Sequence, residues 1–387
     1  MDDPGDAPTR VALVGAGNIA GPYAQSLARH PELRLVGVHD VDGGRARDLA
    51  AATGCRAYAS PAELADDGVD VAVNLTSAPH HFATTRELVR LGLDVFSEKP
   101  LALNAEEARE LVALARATSV RVACAPSLWL GRSYQEVGAR LREGELGAVR
   151  LVTAEVHQGR IETWHPSPAA FFRVGPVVDT GVYALAYVTA TLGPVRRVQA
   201  TSARLLPERT SSAGEAVETA TDDAWLVSAV LGSGALLRLT CDFYVDAETV
   251  PRGVAFHGDR GSLRLLDLFA PDAAVERAVA GEPFVAEAPG DALELDWALG
   301  VLDLARARRR GRPHRLSVEH AGHVVDVLEA VGRSAATGAA VEVTSSFELP
   351  ALDPPARRDD PLGTDGPLGA DRPAGAGTGE EEGARPG

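Results

Sequence analysis

Cysteine is scarce in this chain: Cys55, Cys124 and Cys241 are the only three among 387 residues, far apart and without a CxxC pair. The odd count sets aside a disulfide framework and suits a reducing compartment, so each thiol is expected as a small buried hydrophobe. Clusters of His, Cys and Asp at metal-ligand spacing are missing, and no metal is expected. Lys and Arg never gather into a block, and 38 basic residues face 54 acidic ones for a net charge of −16. A protein that tracks a phosphate backbone needs a basic face, so nucleic acid is not expected as a partner. Long apolar runs are absent too; none approaches the roughly 18 residues that span a bilayer. The first residues, Met1 to Asp6, are acidic and lack the apolar stretch of a leader. The expectation is a cytoplasmic chain with no membrane partner.

What is present reads as a folded globular protein, with 45% hydrophobic and 24% charged residues. Its length exceeds one ordinary core, which predicts two domains. Over 10–125, short apolar runs at 11–14, 33–39, 69–75, 94–97 and 121–125 alternate with amphipathic stretches. One of these, 105–118, repeats Leu111, Leu114 and Ala115 at helical spacing. That alternation predicts an α/β domain with a doubly wound parallel sheet. Beyond 125 the texture changes to an α+β domain over 126–349. A helix at 133–143 precedes alternating runs at 149–156, 195–205 and 224–231, read as antiparallel strands of a large open, mostly antiparallel sheet. Hairpin turns are marked by Gly232-Ser233-Gly234 and by Gly258 to Gly261, and helices are expected at 292–310 and 318–337. Residues 1–9 read as flexible, and 350–387, rich in Pro, Gly, Asp and Glu, as a disordered tail. No internal repeat is visible.

The run Arg10 to Val14 leads directly into Gly15-Ala16-Gly17-Asn18-Ile19-Ala20, a GxGxxA loop at the head of a helical stretch. Gly15 permits the tight turn, Gly17 lets backbone approach a phosphate, and Ala20 allows helix and strand to pack closely. The N–H groups of Asn18 and Ile19 and the helix dipole then face a dinucleotide pyrophosphate. A glycine loop alone could simply join strand to helix, but here strand, helix and a following acid occur together. That acid, Asp40, ends the second strand 20 residues beyond Ala20. A carboxylate there meets ribose hydroxyls and repels a 2′-phosphate, favouring NAD, while Arg45 and Arg47 keep NADP open.

The strand at 94–97 runs into Glu98-Lys99-Pro100, and this stretch resembles the Gfo/Idh/MocA oxidoreductases. The resemblance extends over about 10–343 and includes 258–263 and 334–343. It implies that Lys99 sits at the nicotinamide and substrate, beside Glu98 on the cofactor side, with a cis proline peptide. The family's Asp-x-x-x-His signature is matched by Asp179 and, in place of histidine, Tyr183, a departure shared with the glucose-fructose oxidoreductase and dihydrodiol dehydrogenase branch. On a helix over 177–192 these two residues, four apart, project from one face; Tyr183 could also be a core aromatic. The resemblance further implies that Thr76 and His81 line the nicotinamide ribose and that Trp164 and His165 border the substrate, although His165 could equally be structural.

These residues together imply an NAD(P)-dependent oxidoreductase acting on a secondary alcohol or ketone of a sugar, cyclitol or related polyol. Tyr183 would exchange the proton, Lys99 polarise the oxygen and Asp179 hold a second hydroxyl, with Lys99 expected to lower the tyrosine's pKa. An NAD-dependent glycosidase and a non-catalytic NAD-binding regulator are the alternatives. The resemblance also implies a homodimer or homotetramer assembled through the second domain's sheet.

Overall fold

The apolar run at 11–14 forms β1 (Thr9–Val14), in which Val11, Ala12 and Leu13 are fully buried. A strand covered on both faces has no polar side to present, hence its unbroken apolar sequence. Five strands follow: β2 (Leu33–His39), β3 (Arg56–Tyr58), β4 (Val71–Asn74), β5 (Asp94–Ser97) and β6 (Val122–Cys124). All pair in parallel, in the order β3-β2-β1-β4-β5-β6. Helices α1 (Ala20–Ala28), α2 (Gly43–Thr53), α3 (Pro61–Asp66), α4 (His81–Arg90) and α5 (Ala105–Thr118) make the connections. The winding reverses between β1 and β4, so the loops leaving those strands diverge and open a crevice at the carboxyl ends. The computed structural model describes residues 7–246, 249–250, 252–288 and 295–352. Most of the expected flexible start and nearly all of the expected disordered tail lie outside the described residues.

The second domain begins with α6 (Arg132–Arg142), β7 (Val149–His157), α7 (Ile161–Trp164) and α8 (Ala169–Val174). A π-helical turn (Val177–Gly181) then leads into α9 (Val182–Leu192). Strands β8 (Val195–Ala203), β9 (Arg209–Thr210), β10 (Ala216–Val217), β11 (Ala224–Leu231) and β12 (Leu236–Asp242) come next. They are followed by β13 (Val254–Gly258), β14 (Gly261–Leu265), β15 (Val275–Val279) and β16 (Val285–Ala288). The chain finishes with α10 (Leu299–Arg309), α11 (Val318–Thr337) and β17 (Val341–Glu342).

Nine of these strands form one sheet, ordered β16-β15-β14-β13-β7-β12-β11-β8-β17. It is mostly antiparallel, as expected; the exception is that β7 and β12 run in parallel. Alternation reports which face a residue shows but carries no information on the direction of a partner more than eighty residues away. The β13–β14 hairpin turns at Gly258 and Gly261 as its sequence suggests, and a Cβ on Gly258 would lie 2.4 Å from the Leu146 carbonyl oxygen. Val152, Ala154, Val156, Leu237, Leu239 and Cys241 pack beneath the helices, while Leu151, Leu226 and Leu236 stay exposed on the outer face.

Two expected helices differ. The stretch over 292–310 becomes helical only from Leu299, because the Asp296 carboxylate accepts the Ala298 N–H and holds a turn; 292–294 lie outside the described residues. The continuous helix over 177–192 instead starts with the π turn, where Pro176 has no N–H to give and Thr180 Oγ1 donates back to the Pro176 carbonyl at 2.8 Å.

Helix α10 returns to the first domain and packs on β4, β5 and β6, burying Val301, Leu304 and Ala305, with Gly300 against the Phe96 ring. Its charged edge is tied to the same layer: Arg306 pairs with Glu32, and Arg308 with Asp70 and Asp94. Helix α11 lies between the domains, against α5 on one side and β8 and α9 on the other. Among the described residues no helix is long and apolar enough to cross a membrane.

Candidate active site

The glycine loop lies at the β1–β4 reversal. Gly15 has φ +103°, and a Cβ there would fall 2.8 Å from the Leu75 carbonyl and 2.9 Å from the Thr76 nitrogen. Only glycine permits that approach between the two loops. Gly17 and Asn18 are exposed, Ile19 is half-buried, and Ala20 is buried where α1 meets the sheet. A Cβ on Gly17 would meet nothing, and no side chain caps the first turn of α1. Open approach over glycine plus uncapped N–H groups is the arrangement that a pyrophosphate requires. Asp40 stands beside this loop and is half-buried; one carboxylate oxygen accepts the Ala16 N–H at 2.7 Å, the other the Asp42 N–H at 2.8 Å. It therefore braces the glycine loop. Arg45 pairs with Asp42 at 3.5 Å.

Thr76 follows β4, and its hydroxyl donates to Asn74 Oδ1 at 2.7 Å. His81, at the start of α4, is buried, with Nδ1 2.7 Å from the Pro100 carbonyl oxygen and Nε2 2.8 Å from that of Thr76. Glu98 is buried as well. One of its oxygens accepts the Tyr23 hydroxyl at 2.6 Å, and the other accepts the Lys99 N–H at 2.9 Å. Tyr23 escaped the sequence reading. Its signal was the spacing Ala20, Tyr23, Ala24, Leu27 on the buried stripe of α1, which predicts packing but says nothing about a carboxylate 75 residues away.

The Lys99–Pro100 peptide is cis. Lys99 crosses to the second domain, where Nζ donates to the Asp179 carbonyl at 2.8 Å and to Asp179 Oδ1 at 3.0 Å. Nζ also lies 5.5 Å from the centre of the Tyr183 ring. The π turn thus brings Asp179 and Tyr183 to one side: a turn wider than that of an α-helix still superposes residues four apart. The Tyr183 ring leans on Phe269 at 5.0 Å, and Arg252 lies over that ring at 5.2 Å. The Tyr183 hydroxyl makes no hydrogen bond to a described residue.

Burial would lower the Lys99 pKa, but Tyr183, Asp179 and Glu98 outweigh it and hold the ammonium above the usual lysine range. For Tyr183 burial is the largest influence and raises the phenol; Lys99 pulls it down, while Glu98 and Asp179 push it further up. The expectation that Lys99 leaves the tyrosine below its ordinary value is therefore corrected. Loss of water around a phenolate costs more than one neighbouring cation returns.

Trp164 and His165 sit elsewhere, in an aromatic group on α7 and α8. Trp164 is 55% exposed and donates to the Gln158 carbonyl, and His165 meets the Phe171 ring edge-on at 4.7 Å. The Ser167 N–H donates to His165 Nδ1. Neither residue makes a hydrogen bond or ring contact with Lys99, Asp179 or Tyr183. The group joins the site through α8, which packs against the π turn.

Comparison with known proteins matches both domains. The family model described as "Oxidoreductase family, NAD-binding Rossmann fold" matches residues 9–125, and "GFO/IDH/MocA C-terminal domain" matches 134–264. The trans-1,2-dihydrobenzene-1,2-diol dehydrogenase of Oryctolagus cuniculus is 30% identical over 262 residues, covering 66% of this chain and 74% of that protein. An NAD binding oxidoreductase from Klebsiella pneumoniae superposes with a TM-score of 0.78 at 20% identity, over 88% of this chain and 100% of that one. The aldose-aldose oxidoreductase of Caulobacter crescentus, complexed with glycerol, gives 0.72 at 19% identity, over 87% and 99%. With both halves of the chain matched in order and the glycine loop and Lys99 facing one crevice, the chain belongs to the Gfo/Idh/MocA family of NAD(P)-dependent oxidoreductases.

Proposed function

We propose that this chain interconverts a secondary alcohol and a ketone on a sugar, cyclitol or related polyol, with Lys99, Asp179 and Tyr183 at the reacting carbon. The observation that carries the reading is the Lys99 ammonium, held between Asp179 and the Tyr183 ring. Nicotinamide, when bound, supplies or accepts the hydride. The glycine loop and the first turn of α1 hold its pyrophosphate, and Asp40 and Thr76 face the two riboses. Asp40 favours NAD over NADP.

An ammonium has three hydrogens, and Asp179 takes two from Lys99. The third is left for a substrate oxygen, which the charge polarises. Tyr183, with its hydroxyl unclaimed by any described residue, delivers or removes the proton. Burial raises the phenol, so Tyr183 carries its proton and can donate it to a nascent alkoxide in reduction, and the same group takes the proton back in oxidation. The second Asp179 oxygen remains as acceptor for a neighbouring hydroxyl. Trp164 and His165, apart from this centre, would meet only a substrate long enough to reach past the π turn.

The relatives act on a vicinal diol and on aldoses by their names, so the test is a panel. Trans-1,2-dihydrobenzene-1,2-diol, glucose, xylose and myo-inositol, with the ketones of each, are offered with NAD(H) and NADP(H). Turnover of at least one, with NAD(H) preferred, is expected; Tyr183→Phe should lower kcat about 100-fold. No turnover across the panel, or full activity in Tyr183→Phe, sinks the assignment.

A homodimer or homotetramer fits the exposed leucines Leu151, Leu226 and Leu236 on the outer face of the nine-stranded sheet. Light scattering would report a single-chain mass if this is wrong. Three free thiols suit a reducing cytoplasm.

A further inference from the structure

His81 makes two contacts that a neutral ring cannot both satisfy. Its Nδ1 is 2.7 Å from the Pro100 carbonyl oxygen and its Nε2 2.8 Å from the Thr76 carbonyl oxygen, and the side chain is buried. A carbonyl oxygen only accepts, and neutral imidazole has one N–H to give. With one proton, a bare nitrogen lone pair would face a carbonyl lone pair at a buried position. Both bonds form only when both nitrogens carry hydrogen.

The two carbonyls belong to the two halves of the site. Thr76 lies in the loop that touches Gly15 of the dinucleotide turn. Pro100 follows Lys99, whose ammonium holds Asp179 and lies near the Tyr183 ring. We propose that His81 is the positioning residue that fixes Lys99 relative to the dinucleotide loops, and that it does so as an imidazolium donating from both ring nitrogens. The proposal rests on the reading of Lys99 as a group at the reacting carbon.

The surroundings divide in their effect on this charge. The N-terminal end of α4, where His81 sits, opposes a cation. The two carbonyls favour it, and charge strengthens both bonds. On the preceding turn, His80 is engaged by Ser77. From β4, Asn74 donates to the His81 carbonyl and to Thr85, and presents no charge. On the Pro100 side, Glu98 is taken by Tyr23 and by the Lys99 N–H, and Lys99 by Asp179. The two carbonyl contacts are thus the interaction through which His81 ties one loop to the other.

Two measurements test this. In protein labelled with 15N at histidine and free of cofactor, the His81 ring nitrogens, assigned by their loss in His81→Phe, should give the paired shifts of an imidazolium at pH 7. Widely split shifts of a neutral tautomer overturn the charged clamp, and this spectrum is taken on the natural sequence. Separately, NADH affinity is read by fluorescence and kcat on the best panel substrate in His81→Phe and His81→Gln. The expected split is a kcat lowered about 10- to 100-fold, because an ångström of misplacement has that effect, with NADH affinity changed less than about threefold. Loss of melting temperature with kcat intact would mean a merely structural ring. Lys99→Met serves as the control: inactive Lys99→Met with full kcat in both His81 variants rejects the clamp alone, whereas active Lys99→Met rejects the site reading beneath it.

Discussion

Lys99 and Arg209 are both basic side chains drawn under the surface by carboxylates, and they end in opposite conditions. Arg209 is fully buried, with one Nη on Glu162 at 2.6 Å, the other on Asp223 at 2.6 Å and on the Phe243 carbonyl at 3.0 Å, and its guanidinium lies over the Phe172 ring. Glu162 and Asp223 are 3% and 2% exposed, and only the Arg209 Nε is left unbonded, sealed from solvent. Lys99 and Asp179 keep 17% and 19% of their side chains exposed, and the ammonium retains a donor. A closed charge cluster spends its bonding capacity on the fold. An open one keeps part of it for a visitor.

The comparison breaks first at Lys99. Lys99→Met is expected to lower kcat/KM about 1,000- to 10,000-fold, with unfolding free energy changed by less than about 1 kcal/mol, because Asp179 still reaches water. Steady-state kinetics beside urea unfolding checks both. A large stability loss would place Lys99 in the same class as Arg209. The converse variant, Arg209→Met, should destabilise by about 3–5 kcal/mol, since two buried carboxylates lose their counter-ion. In the fraction that folds, kcat/KM should stay within about tenfold of the parent; a collapse in turnover at unchanged stability would contradict the division drawn here.

A third cluster sharpens the contrast by titrating. At the carboxyl ends of β7 and β12, His157 bonds Asp242 through Nδ1 at 2.6 Å and meets Glu155 through Nε2 at 3.4 Å. Hydrogen bonds to these two carboxylates raise its pKa to about 9, against the opposing effect of burial. A pKa higher folded than unfolded adds stability below the unfolded value, near 6.5, and that contribution is lost as pH rises through about 9. The gap in unfolding free energy between the parent and His157→Gln should be on the order of 2 kcal/mol at pH 6 and largely gone by pH 10. A gap constant across that range would mean that the carboxylates do not hold the extra proton.

Legibility followed the range of the interaction. The parallel sheet could be read because a strand buried on both faces writes its environment into consecutive residues, as Val11 to Leu13 do. Gly15, Lys99, Asp179 and Tyr183 stood out because each sits in a short motif. The Tyr23–Glu98 bond, the β7–β12 pairing and the Arg209–Glu162 bond join residues 75, 85 and 47 positions apart, and no local period encodes a partner at that distance. The π turn was hidden for a different reason: Val177, Val178 and Val182 suit an α-helix equally well, and the departure arises at Pro176 and Thr180. The tyrosine's raised pKa needed the burial of its neighbours, which a motif does not report.

The return of α10 onto β4, β5 and β6 also sets a timetable. On a ribosome the first six strands emerge long before residues 299–309, which complete the cover of that sheet. Synthesis at about 5–20 residues per second leaves the Val73 and Phe96 face without its last helix for roughly 10 to 40 seconds. During that interval the nascent chain carries an apolar, half-roofed sheet, and its safe passage depends on whatever shields such a surface until the helix arrives.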